Sequence, residues 1–174
     1  MPVSLRPVQL EAAPGQWMPA VEDALATWSD WCATHPGACA QVGLSAHWLL
    51  IAVAEDAAET WQYYYGVSTQ DLARDWLVRS VSTGAGQLHC AVPRALIEGL
   101  TAQARAHGVT IQWAGPWWIH DLERHVHEQV LAGASVQPWS AHEPGLRVHA
   151  SLSWNESARP PIQLRQVWCE AEAA

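Results

Sequence analysis

At 174 residues, 49% of them hydrophobic, the chain can bury one good core, or one core and a small appendage. Its net charge of −8, with nine basic residues scattered along it, excludes the basic stripe of a nucleic-acid binder. The longest unbroken apolar run, 48–54, falls far below the roughly 20 residues that a membrane-spanning helix needs.

In chain order, residues 3–10 predict a short strand, an edge strand because Pro7 interrupts it, and Pro14-Gly15 breaks it. A helix is predicted over 19–34, with Val21, Leu25, Trp28 and Cys32 as its apolar stripe and His35-Pro36-Gly37 as its end. Residues 41–54 carry Trp48-Leu-Leu-Ile-Ala-Val53, too continuous for a one-sided strand, and predict a central strand covered on both faces. A helix over 56–65 ends in three tyrosines and Gly66. Ser68-Thr-Gln-Asp71 has the form of a capping box and opens a short helix to Arg74.

Residues 76–82 and 87–92 predict an antiparallel hairpin turned by Thr83-Gly-Ala-Gly86. The second strand alternates cleanly, with Leu88, Cys90 and Val92 facing in. Pro93 then opens a helix whose inner face is Leu96, Ile97, Leu100 and Ala104, opposite Arg94, Glu98, Thr101 and Arg105. Gly108 stops it in a left-handed conformation, and 109–113 return as a strand before Gly115-Pro116 turns the chain. A helix is expected over 117–132, capped by Gly133, and a loop over 138–145. Strands over 146–154 and 162–168 form a C-terminal hairpin, followed by an acidic tail at 170–174 that is expected to fray. The expectation is a single α/β domain over 1–174: a mixed sheet with helices on both faces, a core at about 41–132 and the hairpin at about 145–168.

Chemistry is sparse. Cys32, Cys39, Cys90 and Cys169 have neither CxxC nor zinc spacing, and no signal peptide opens the chain, so a reduced, cytoplasmic protein is expected. Asp121, His125 and Glu128 share one helix face and could contact a divalent ion, but no second cluster completes a site. Alternating charges and histidines on such a flank ordinarily mean solvent. There is no nucleophile elbow. Gly84-Ala-Gly86 joins two strands, so it lends no helix N-terminus to a phosphate. Two-metal nucleases and actin-like ATPases need carboxylates on core strands, whereas Asp75, at a boundary, is the sole acidic residue of the predicted strands. No cofactor and no catalytic residue are expected.

The aromatic residues are the remaining signal. The sequence has 12 Trp, no Phe and, among its nine basic residues, only Arg. Trp and Arg suit interfaces, and GC-rich codon usage produces the same skew. Trp113, Trp117 and Trp118 cluster at one strand end, and the consecutive pair cannot turn both indoles inward, so these three are the partner-binding candidates.

The run HCAVPRALIEGLTAQARAHGVTIQWAGPWW resembles the strand, Val-Pro, helix, Gly-strand and Pro punctuation of PilM-like and GspL-like proteins. LSAHWLLIAV, YYYG and DWLVRS extend the resemblance to about 41–130. That group comprises actin-like cytoplasmic components of type IV pili and type II secretion systems. The resemblance implies one lobe of ribonuclease-H-like kind and a non-enzymatic scaffold role. It also implies partners among pilus or secretion platform proteins, a short peptide from one, or a second copy, with any membrane association made through them. The departures are a missing D-x-G at Gly43-Leu-Ser-Ala-His47 and a length too short for two lobes, so no family site transfers to a residue here. A small-molecule binding domain walled by tryptophans is the alternative, and a metal enzyme using Asp121, His125 and Glu128 is a third reading.

Overall fold

The computed structural model describes residues 2–5, 18–53, 55–133 and 136–171. The chain is α/β, with its strands divided among three three-stranded sheets and its residues alternating between two compact units.

The first unit holds residues 1–49, 67–77 and 92–117. Its sheet is wholly parallel in the order β1 (Pro2–Leu5), β2 (Cys39–Leu44), β6 (Thr110–Pro116). Parallel neighbours need crossovers, which α1 (Met18–Thr34) and α4 (Arg94–Ala106) supply. The predicted strand at 3–10 appears as β1; residues 6–10, with Pro7, and the Pro14-Gly15 break lie outside the described residues.

α1 and α4 pack closely because Gly99 admits the Leu25 side chain, and a Cβ there would lie 2.3 Å from a Leu25 methyl carbon. Trp28 Nε1 donates to the Leu100 carbonyl at 2.9 Å, and Ser29 Oγ donates to Gln103 Oε1 at 2.9 Å. The end of α4 is a Schellman closure. Val109 N–H reaches the Ala104 carbonyl at 2.8 Å and Gly108 N–H the Arg105 carbonyl at 3.3 Å, with Gly108 at φ +69°. α3 (Thr69–Asp75) starts on Ser68, whose hydroxyl accepts from Asp71 N–H at 3.0 Å. Arg94 closes its other end by donating to the carbonyls of Ala73, Arg74 and Trp76. Arg74 forks onto Asp75 and holds that carboxyl below its usual range, by hydrogen bond and by charge.

Leu96, Leu100 and Ala104 are buried while Glu98 is exposed, so the face read from the sequence is the packed one. Leu100→Ala should therefore cost about 2–5 kcal/mol, and Glu98→Ala less than about 0.5 kcal/mol. Chemical denaturation of both variants checks this, and equal effects would mean that α4 is rotated.

The second unit holds 50–66, 78–91 and 118–174. One of its sheets has the order β3 (Leu50–Ala52), β5 (Gly86–Pro93), β4 (Trp76–Thr83), the ends of β4 and β5 running into the first unit's residues. The other is an antiparallel meander of β7 (Trp139–Glu143), β8 (Leu146–Trp154) and β9 (Ile162–Ala171). α2 (Ala57–Tyr65) is capped by Asp56, which accepts from Glu59 N–H at 3.0 Å, and ends on Gly66 at φ +67°. α5 spans Ile119–Ala132.

Four expectations are corrected. The single strand at 41–54 is two strands in different sheets. Ser45 accepts from His47 N–H at 3.2 Å and starts a turn of 3₁₀ helix over Ala46–Trp48, which separates β2 from β3. Both sides of the break are buried, which is why the apolar run looks continuous. The loop at 138–145 contains β7, in which Trp139, Ala141 and Glu143 alternate inward with Ser140 and His142 outward, so the hairpin is a meander. The helix expected from Trp117 starts at Ile119. The tail expected to fray at 170–174 continues β9 as far as Ala171, and 172–174 lie outside the described residues.

Candidate protein-binding surface

β6 is built like a strand waiting for a neighbour. Among the described residues it pairs with β2 on one side and ends the sheet on the other. Exposed edges are usually blunted by charge, by an internal proline, by a bulge or by a cover. The sequence Thr110-Ile-Gln-Trp-Ala-Gly-Pro116 carries no charged residue, and its proline comes last. The register, however, passes from Ala40–Ile111 to Gln41–Trp113, so Gln112 is bulged and the regular part of the edge is Trp113–Pro116. Beside it runs a groove of about 570 Å³ between β6 and α4. Leu100, Ala104 and Val109 are buried at its base, Ile97 and Ile111 are half-buried along it, and Arg105 is the charged residue of its lining.

The tryptophan candidates divide. Trp113 is half-buried on β6, its ring lying over Gly115, where a Cβ would sit 2.7 Å from the indole. Trp117, just past the strand, is 36% exposed, and its N–H donates to the Leu44 carbonyl at 3.1 Å. Trp118 is 0% exposed and belongs to the second unit, where its ring lies 5.7 Å from that of Trp139. Trp113 and Trp117 thus share the β6 region, and Trp118 is a core residue. Among the described residues the groove lining contains no tryptophan, and Trp28, Trp48 and Trp61 are fully buried.

The metal candidates are engaged elsewhere. The Asp121 carboxylate accepts from Trp139 Nε1 at 2.9 Å and pairs with Arg124. His125 Nε2 bonds the Gln137 carbonyl at 2.9 Å, and Gln129 Oε1 accepts from Gln137 N–H at 2.8 Å. The side chains at 121, 125 and 129 therefore fasten the lead-in of β7 to α5, a structural use of the spacing that drew attention in the sequence. Glu128 is exposed. Among the described residues, no three His, Cys, Asp or Glu side chains gather as a metal site.

Two carboxylates absent from the predicted strands stand on observed ones. Glu143 ends β7 and is 4% exposed, and Glu170 on β9 accepts from His149 Nε2 at 2.8 Å. Asp75, assigned to a strand boundary, closes α3. Cys90 and Cys169 are poor nucleophiles, because burial pushes both thiols up to about 12 and each has a further ionisable neighbour, Cys169 and Glu143 respectively. The α4 flank of the groove, with Thr101 and Arg105, has no signature in the sequence, where both positions read as a solvent face.

No protein-family model matches the chain, and no curated protein matches it. Among solved structures, 83% of the chain is similar to the cytoplasmic domain of EpsL, an inner membrane component of the type II secretion system of Vibrio cholerae. The identity is 14% and the TM-score 0.38, and the chain spans 56% of that domain's length.

Proposed function

We propose that this protein is a non-enzymatic assembly component that binds another protein along the edge of β6. The observation that carries this reading is the uncharged open edge lying beside an apolar groove, with Trp113 and Trp117 at hand. An extended segment adding to β6 would satisfy the outward backbone groups, set its alternate side chains against Ile97 and Ile111, and cover the Trp117 indole. Such additions draw affinity from main-chain hydrogen bonds and specificity from side-chain pockets. The further assignment, to the cytoplasmic face of a type IV pilus or type II secretion machine, rests on the sequence resemblance over about 41–130. Among the described residues no helix is long and apolar enough to cross a membrane, so membrane association through a partner fits this assignment.

The test is pull-down of platform proteins by the parent chain and by Trp117→Ala and Trp113→Ala, each checked for folding by circular dichroism. Trp117→Ala should weaken capture by about 2 kcal/mol, the scale of an interface anchor, while leaving the fold intact. Folded variants that both capture the partner like the parent would place the surface elsewhere.

A further inference from the structure

The second unit carries an aromatic surface of its own. α2 buries Ala57 and Trp61, which turns its C-terminal tyrosines outward: Tyr63 is 82% and Tyr64 72% exposed. Across from them Trp168 on β9 is 38% exposed, its indole stacked against His149 at 5.1 Å. Between α2, β3 and β9 lies a cleft of about 480 Å³, with Tyr64, Tyr65 and Trp168 in its walls and Ile51 and Val167 as its buried apolar part.

Among the described residues one charged side chain, that of Arg165, lines this cleft, and it is placed by a backbone irregularity. Between β8 and β9 the register runs Ser151 to Gln166 and then Leu152 to Leu164, so Arg165 has no residue opposite it. A bulge of this kind re-aims a side chain and spoils the strand for edge-to-edge pairing. Arg165 Nε donates to Ser153 Oγ at 2.6 Å, which steadies the guanidinium. Among the described residues no carboxylate lines the cleft, although the chain as a whole carries −8. Burial, with the nearby Cys169 as a smaller cause, raises the Tyr65 phenol. Burial, with Glu143 as a smaller cause, pushes the Cys169 thiol up to about 12. Both groups are therefore neutral at physiological pH, and neither repels an anion.

We infer that this cleft is a second docking site, independent of β6, for an extended acidic segment of another protein. A carboxylate of the segment pairs with Arg165, and its neighbouring residues lie across Tyr64 and Trp168. The occupant is a polypeptide because a small anion held at Arg165 would leave the tyrosines wet, whereas a chain crossing the cleft covers them. Tyr and Trp give such a chain broad, stiff contact area at low entropic cost.

The experiment uses the full chain and two fluorescently labelled synthetic peptide pools. They are identical except that one carries Asp or Glu where the other carries Asn or Gln. Fluorescence anisotropy should show the acidic pool binding about tenfold more tightly than the amide pool, the scale of one charge-assisted hydrogen bond. Arg165→Gln should abolish that difference, Arg165→Lys should keep most of it, and Tyr64→Ala should weaken both pools. Both positions are exposed, and circular dichroism checks the fold of each of the three variants. Equal affinity of the pools for the parent, or a preference surviving Arg165→Gln, overturns the proposal. So does complete displacement of the acidic pool by millimolar acetate or inorganic phosphate, which would mark a free-anion site. Self-association of the parent that Arg165→Gln removes would make a second copy the occupant and likewise overturn it.

Discussion

Trp118→Ala is expected to lower the unfolding free energy by about 3–5 kcal/mol, the cost of emptying a large aromatic site in a packed core. Trp118 is fully buried, packs against Trp139 and immediately precedes α5, where its carbonyl accepts from Leu122 N–H at 3.0 Å. Its indole N–H has no hydrogen-bond partner among the described residues. That detail separates two substitutions. Trp118→Phe keeps much of the buried area and removes an unpaired donor, so it should cost far less than the alanine variant. Urea titrations of the two proteins measure this, and equal losses would mean that the indole N–H is satisfied after all. The neighbouring Trp117→Ala should change stability by less than about 1 kcal/mol, since that side chain is already partly in water.

Trp28→Ala should be as damaging, again about 3–5 kcal/mol, and for a reason that the phenylalanine variant exposes. Trp28 is fully buried between α1 and α4, and its Nε1 donates to the Leu100 carbonyl. Here Trp28→Phe loses a hydrogen bond that is made, worth about 1 kcal/mol net, in addition to ring volume. The Phe variant at 28 should therefore be the more costly of the two Phe variants. The opposite order, from denaturation curves taken side by side, would refute the hydrogen-bond assignment at both sites.

What the sequence reveals is what short-range chemistry controls. Leu96, Leu100 and Ala104 define a face because the helical period is local, and Gly108 marks its end because the closing bonds reach back only to Ala104 and Arg105. Asp56 and Ser68 cap helices through bonds to residues three positions on. The Ser45 break is hidden because it falls just before the apolar run at 48–54, with buried residues on both sides, and a cap bond reaching two positions on leaves no mark in the hydropathy. β7 is hidden because Trp-Ser-Ala-His-Glu, between Pro138 and Pro144-Gly145, has the composition of a loop, and only its pairing with β8 makes Glu143 an inward residue. The site residues fare similarly. The sequence can say that adjacent indoles diverge, but burial of Trp118 and exposure of Trp117 depend on contacts such as the one with Trp139, far along the chain. Likewise the Asp121 and His125 spacing reads as ligand-like until the bonds to Trp139 and Gln137 are seen.

The central claim is that a partner adds along the edge of β6, and amide hydrogen exchange tests it most directly. With the partner captured by the parent chain added to saturation, amides within Thr110–Pro116 should become markedly slower to exchange, as new main-chain bonds close the open edge. Trp117→Ala should reduce that protection at the same partner concentration. Unchanged exchange across β6, with protection appearing elsewhere in the chain, would contradict the account.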